Sequence, residues 1–186
     1  MSEKEEITTL SPPLSEEEVK ELKAGDMVKI TGTIITARDK AYARILEFSR
    51  AGKELPADLE GGVVYHCGPL VKKTDDEWEI ISAGPTTSAR LDDVQTEFVE
   101  NTGVRALIGK GGMSQKVAEE VGELGCIYLA FTGGAGALAA DAITSIEDLV
   151  WEDLGTAEGI WVLKVKEFGP LLVAIDMKGG NLYEKR

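Results

Sequence analysis

The chain has 186 residues, enough for one sizeable core or a compact domain with a small annex, and its 43% apolar and 28% charged residues are those of an ordinary folded protein. A formal charge of −13 argues against nucleic acid and anionic membrane surfaces as partners, while leaving room for a small anion held by a few focused cations. No apolar run reaches membrane-spanning length and the start lacks the basic-then-apolar order of a signal peptide, so a cytoplasmic location is expected.

Residues 1–14 are polar, end in Ser11-Pro12-Pro13 and read as a mobile or extended lead-in to a single domain over 15–186. Ser15 is placed to cap a short helix, SEEEVKELKAG, with an acidic first turn, Lys20 and Lys23 toward its end and Gly25 as its stop. DMVKITGTIITAR alternates at Val28 and Ile30 and then runs through Ile34 and Ile35, the pattern of a strand bent at Gly32. In DKAYARILEFSRAGK, Tyr42, Ile45 and Leu46 share a helical stripe with Asp39 as N-cap, which puts Arg38 at a strand-to-helix junction. After a loop over 55–62, GVVYHCGPLV and WEIISAGP read as two strands flanking the charged turn KKTDDE.

From Thr86 the texture changes. A helix starting near Thr87 carries Leu91, Val94, Phe98 and Val99 on one face and stops at Asn101-Thr102-Gly103. VRALIG, MSQKVAEEVGELG and CIYLAF follow as a buried strand, a helix capped by Ser114 and a second buried strand, which together make a βαβ unit. TGGAGALAADAI fits a glycine turn leading into a closely packed helix, and SIEDLVWEDLG continues it or forms a short segment of its own. IWVLKVKEFGPLLVAIDMKGG reads as two strands joined by a turn at Phe168-Gly169-Pro170. The class expected is α/β, with mixed strands and at least one βαβ unit.

Two stretches suit an anion. In GPTTSAR, a carboxylate at the start of the expected helix would meet backbone N–H groups, the Thr86 and Thr87 hydroxyls and the Arg90 guanidinium, which can hold it with two parallel bonds. The plainer account is one capping threonine and a solvated arginine. IGKGGMS sets Lys110 among glycines after a buried strand, open to close approach by a ligand, but it lacks the order G-x-x-x-x-G-K-[ST] and implies no ATP. Its plainer account is a glycine turn with an ordinary lysine.

Arg38 and Asp39 suit either a cleft or simple capping, and the single histidine, His66 in YHCGP, reads as a packed, locally hydrogen-bonded residue before it reads as a catalyst. The glycines of FTGGAGA favour packing over ligand approach. Asp75, Asp76 and Glu77 read as a solvated turn, and Trp78, Trp151 and Trp161 as core or interface anchors. Cys67 and Cys126 form no CxxC and no disulfide framework, and read as small buried hydrophobes.

Taken together, YHCGP at 65–69, SAGPTTSARLD at 82–92, GVRALIGKGGM at 103–113 and YLAFTGGAGALAA at 128–140 resemble the small β subunit of class I fumarate hydratase and its tartrate dehydratase relatives, over roughly residues 20 to 183. The resemblance implies a swivelling β/β/α domain that is the carboxy-terminal domain of single-chain members. It further implies a larger α subunit carrying a [4Fe–4S] cluster, none of which this chain binds, and an α2β2 assembly. The implied reaction is hydration of fumarate to L-malate, with dehydration of tartrate or a related hydroxydicarboxylate as the alternative.

By similarity, Arg38, Arg90 and Lys110 neutralise and orient the dicarboxylate, Thr87 donates to it, and Thr86 with Lys110 serves proton transfer. A free hydroxyl is a poor base near neutral pH, so Thr86 would need a neighbour to activate it. Two other readings stand beside this one: a stand-alone phosphate-binding α/β protein using GKGGMS, and a subunit that keeps the fold without the chemistry.

Overall fold

The structure, a computed structural model, describes residues 7–75 and 77–184. In chain order the elements are β1 (Thr8–Leu10), α1 (Glu16–Lys20), β2 (Met27–Thr36), α2 (Asp39–Arg50), β3 (Val63–Tyr65), β4 (Leu70–Thr74) and β5 (Glu77–Ser82). They continue with a 3₁₀ turn (Ser88–Leu91), α3 (Asp92–Thr102), β6 (Ala106–Gly109), α4 (Gln115–Glu123), β7 (Ile127–Ala130), α5 (Gly136–Asp141), β8 (Ile143–Val150), a second 3₁₀ turn (Glu152–Leu154) and β9 (Ile160–Ile175).

The main sheet has the order β1-β2-β3-β6-β7-β9-β8, and β2 pairs a second time with β9. Strands β2, β3, β6, β7 and β9 therefore close into a barrel-like ring. β2, β3, β6 and β7 run parallel, while β9 is antiparallel to both of its ring neighbours. β4 and β5 form a separate hairpin.

β3, β6 and β7 are short, apolar runs because both of their faces are covered. Val63, Tyr65, Ala106, Ile108, Ile127 and Leu129 belong to one buried cluster with Trp161 and Phe168 of β9. The alternate residues Val64, Leu107 and Tyr128 belong to a second cluster with Tyr42 and Ile45 of α2, Phe98 of α3 and Val121 of α4. Such two-sided burial, at roughly 1.5–3 kcal/mol per large apolar side chain, makes these strands the core of the fold. With barrel-like strands inside and helices outside, the architecture is the β/β/α arrangement expected, and β6, α4 and β7 are the expected βαβ unit.

Several local expectations need correction. Ser15 does cap α1, with Glu18 completing a capping box, but the helix stops at Lys20 rather than running to Gly25. The N-cap of α2 is Arg38, whose side chain makes no capping bond, and Asp39 is already helical. The helix expected near Thr87 begins as a 3₁₀ turn and becomes α-helical only at Asp92. Ser114 occupies the N-cap of α4 without a side-chain cap; its N–H instead donates to Asp92 Oδ2 at 2.9 Å.

GVVYHCGPLV is not one strand, since β3 lies in the ring and β4 in the hairpin. SIEDLVWEDLG is not a helix but β8 with its 3₁₀ turn, and the two strands expected after it are one, β9, bent at a bulge where Glu167 has φ 51° and Gly169 φ 138°. Of the amino-terminal lead-in, Thr8 to Leu10 pair with β2, while residues 1–6 lie outside the described residues, as does Asp76 of the charged turn. Among the described residues no helix is long and apolar enough to cross a membrane.

Candidate active site

The parallel strands β2, β3, β6 and β7 end at Thr36, Tyr65, Gly109 and Ala130, so Arg38, His66, Lys110 and Phe131 all follow at the carboxyl edge of the ring. Ligands of parallel α/β sheets gather at this edge. Between the splayed ends of β3 and β6 runs the segment 85–88. The Thr86 N–H donates to the His66 carbonyl at 2.7 Å, the Lys110 N–H to the Thr86 carbonyl at 3.1 Å, and the Ser88 N–H to the Lys110 carbonyl at 3.1 Å. Thr87 and Lys110 are thereby bridged as parallel strand neighbours, and Cys67 and Pro85 as antiparallel ones. Seventeen residues, 91–107, separate the two anion-suited stretches in sequence, and the fold joins them through their backbones.

Thr87 and Lys110 are exposed and line a cleft of about 510 Å³ with Gly111, Ala130, Phe131, Thr132, Gly133, Leu172 and Tyr183. The three glycines around Lys110 do different jobs. Gly111, at φ +72°, has open space where a Cβ would sit, so a ligand has access there. At Gly109 the same space is filled by Ser88 Oγ, and at Gly112 by the ring of Tyr183. Close ligand approach, expected of the whole motif, therefore holds at Gly111 alone of the three. FTGGAGA divides similarly, with Gly136 packed against Ser82 and Gly84 and Gly133 lining the cleft.

Thr86 is half-buried, and its hydroxyl donates to the His66 carbonyl at 3.0 Å. Its recorded partner is a main-chain acceptor rather than a base. The arginines form a second group: Arg90 donates to Asp39 Oδ1 at 2.9 Å, and Arg38 lies 3.9 Å from Asp39 and 3.5 Å from Glu158. Arg38 is held tightly, with its Nε buried and unpartnered and its guanidinium and Cδ against Gly68. The candidate residues therefore fall into a threonine–lysine pair at the cleft and an arginine pair gathered on Asp39, and neither arginine lines the cleft.

Behind the segment 85–88 lies a buried polar chain. His66 is fully buried, with Nε2 2.7 Å from the Tyr42 hydroxyl and Nδ1 2.8 Å from Ser88 Oγ, which lies 2.9 Å from the Tyr128 hydroxyl. Burial pushes the imidazole down to about 3, against a smaller opposing pull from Asp39, so the ring is neutral. His66 is the packed, hydrogen-bonded residue its sequence setting suggests.

The family model described as Fumarase C-terminus matches residues 1–186 of this chain. The chain belongs to the class I fumarate hydratase and tartrate dehydratase family. Within it, this is a small β-subunit-type domain of a hydro-lyase. It is 42% identical to a protein of Methanocaldococcus jannaschii provisionally named an L(+)-tartrate dehydratase β subunit, over 92% of this chain and 89% of that protein. It is 41% identical to the L(+)-tartrate dehydratase β subunit of Escherichia coli K12, over 93% and 85% respectively. A Geobacillus stearothermophilus protein provisionally named a class I fumarate hydratase is 39% identical over 96% of this chain, which spans only 34% of that longer protein.

Membership in an iron–sulfur family raises the question of whether this chain's residues fit a cluster. They do not. Cys67 is buried in the barrel interior, its thiol pushed up to about 12 by burial, and Cys126 is buried in the helix-facing core with its thiol likewise raised. These are the chain's only two cysteines and they lie in separate cores, whereas a cluster is held by several thiolates gathered at one place. Among the described residues no group of three His, Cys, Asp or Glu is arranged to hold a metal.

Sequence reasoning missed Ser88, Tyr128, Glu158 and Tyr183 as parts of the site and its support. Gln95 was the findable one: four residues after Leu91 on the stripe with Phe98 and Val99, it is a polar side chain where the pattern demands an apolar one, and it is fully buried against Tyr42.

Proposed function

We propose that the chain is the β subunit of a [4Fe–4S] hydro-lyase that dehydrates a hydroxydicarboxylate of the L(+)-tartrate type. The observation that carries the site is the bridge between Thr87 and Lys110, which sets a hydroxyl and an ammonium side by side at the open carboxyl edge of the ring. Substrate preference follows the relatives that match this chain nearly end to end, which are named tartrate dehydratase β subunits. This reverses the order of the sequence reading, which put fumarate and malate first. Fumarate hydratase is the second reading, favoured by the Geobacillus relative.

In this proposal Lys110, Arg90 and Arg38 neutralise the two carboxylates and Thr87 donates to one of them. Removing a proton beside a carboxylate builds negative charge, which the Lys110 ammonium stabilises at the moment it forms. Thr86 and Lys110 serve the proton transfer, Thr86 needing help because its own bond runs to a carbonyl. The cluster and the rest of the substrate site belong to a larger α subunit, in an α2β2 assembly. The acidic balance is no obstacle, because the cations are local and the charge of −13 is spread over the whole chain.

The test is to purify the chain with and without its iron–sulfur partner, anaerobically, and assay L(+)-tartrate, fumarate, L-malate and mesaconate. Turnover is expected only in the complex and highest with tartrate. Full activity from the chain alone would sink the shared-site proposal, and a preference for fumarate would select the second reading.

A further inference from the structure

We propose that Ser88 and His66 are positioning residues: the buried chain running through them sets the segment 85–88 against Lys110, and Gly109 is the gap that lets Ser88 reach it. The inference rests on the functional reading of Thr86, Thr87 and Lys110 given above.

The chain crosses the fold. Gln95 stands on α3, Tyr42 on α2, His66 just past β3, Ser88 at the start of the 3₁₀ turn and Tyr128 on β7, and all five side chains are buried. Ser88 is the member whose backbone also belongs to the site, since its N–H holds the Lys110 carbonyl and Thr87 directly precedes it. Its hydroxyl is the segment's anchor into the interior, bonded to both His66 and Tyr128.

A neutral imidazole has one donor and one acceptor, which gives the chain a direction. Of the two Gln95 contacts to the Tyr42 hydroxyl, the shorter, 3.2 against 3.4 Å, has Gln95 donating. Tyr42 then donates to His66 Nε2, His66 Nδ1–H to Ser88, and Ser88 to Tyr128, so the Tyr42 and Ser88 hydroxyls each give one bond and take one and Tyr128 ends the chain as an acceptor. Such a chain is stiff, because turning the Tyr42 or Ser88 hydroxyl leaves a buried group unpaired.

Gly109 supplies the independent observation. A Cβ there would overlap Ser88 Oγ and come within 3.1 Å of both His66 Nδ1 and the Tyr128 hydroxyl. Its φ is not of the kind that demands glycine, so the residue before Lys110 lacks a side chain to make room for the buried chain.

The test reads amide hydrogen exchange of the full chain and turnover of the complex in parallel. In Ser88→Ala, exchange at Thr86, Ser88 and Lys110 is expected to rise at least tenfold while the cores of β7 and β9 change little, and kcat to fall at least tenfold with a smaller change in KM. Tyr128→Phe, which keeps the ring and removes the hydroxyl, is expected to show the same local pattern more weakly, and it serves if Ser88→Ala does not fold. Unchanged exchange at the three amides, or a uniform rise over the whole chain, overturns the positioning role. Lys110→Ala tests the underlying reading separately: turnover surviving that change overturns the site assignment and with it the catalytic meaning of the positioning, even with local exchange changed as expected.

Discussion

Arg90 has more than half of its side chain in solvent and donates to Asp39, itself 40% exposed, at 2.9 Å. An exposed pair of this kind contributes about 0–1 kcal/mol to stability, so the fold does not depend on Arg90. A substrate carboxylate closed in beneath a partner subunit would depend on it far more, because charge-assisted bonds strengthen as water leaves. Arg90→Ala is therefore expected to shift the melting temperature by less than ~4 °C while lowering kcat/KM of the complex by roughly a hundredfold, an interaction of about 2.7 kcal/mol. Arg90→Lys should recover only part of this, since an ammonium cannot offer two parallel bonds. Calorimetry beside steady-state kinetics separates the two quantities, and a parallel loss of both would reassign Arg90 to the fold. Arg38 differs: one fifth of its side chain is exposed, and Glu158, which also accepts the Lys40 N–H at 3.0 Å, lies 3.5 Å away. Its orientation is set before any ligand arrives.

At the scale of the element, the turn after β6 gives two glycines opposite reasons to be glycine. Gly109→Ala puts a methyl group into Ser88 and the His66 ring, and overpacking of this kind costs about 1–3 kcal/mol. Gly111→Ala meets no atom within 4 Å and carries only the backbone strain of φ +72°, about 1 kcal/mol. Urea unfolding should rank Gly109→Ala as the less stable of the two, and turnover should fall with it; the reverse order would mean that the buried chain yields easily. The same scale shows what the sequence could express. β3, β6 and β7 were legible because two-sided burial writes a continuous apolar run, and α2 and α3 because one-sided burial writes a helical stripe. β8 was not. Ile143, Ile146 and Leu149 recur every three residues, a helical spacing, because register shifts between Ile143 and Ser145 and between Ile146 and Asp148 each add a residue to the strand's period of two. β9 hid its continuity likewise, since Gly169-Pro170 signals a turn and the pairing with β2 and β7 absorbs it as a bulge. Of the candidate site, the residue types at 86, 87, 90 and 110 suit an anion on sequence alone, but the bridge joining Thr87 to Lys110 and the contact that brings Arg90 to Asp39 beside Arg38 are long-range and no local pattern encodes them.

For the whole molecule, the helices packed over the sheet bury His66 completely, and this sets the response to acid. His66 takes up a proton near 6.5 when unfolded and only near 3 when folded, because burial in the core disfavours the imidazolium. Below 6.5 the unfolded chain therefore binds more protons than the folded one, and stability falls with falling pH through the window down to about 3, at up to ~1.4 kcal/mol per pH unit. Asp176 acts lower in the scale. Burial raises its carboxyl, but N–H donors from Ala24, Gly180 and Lys178 outweigh that and hold it below its usual value, so the stability it contributes is lost only as it protonates. Relief of repulsion among the surface carboxylates of a chain with charge −13 runs the opposite way, favouring the folded state as they neutralise. The His66 share is isolated by comparison with His66→Gln, which keeps one donor and one acceptor but cannot take up a proton in this range. Denaturant unfolding of both proteins at about pH 7 and about pH 5 should show the wild type losing roughly 1–2 kcal/mol more than the variant. Equal losses would place the imidazole within reach of water, and a chain that admits water behind Thr87 would no longer hold the threonine against Lys110.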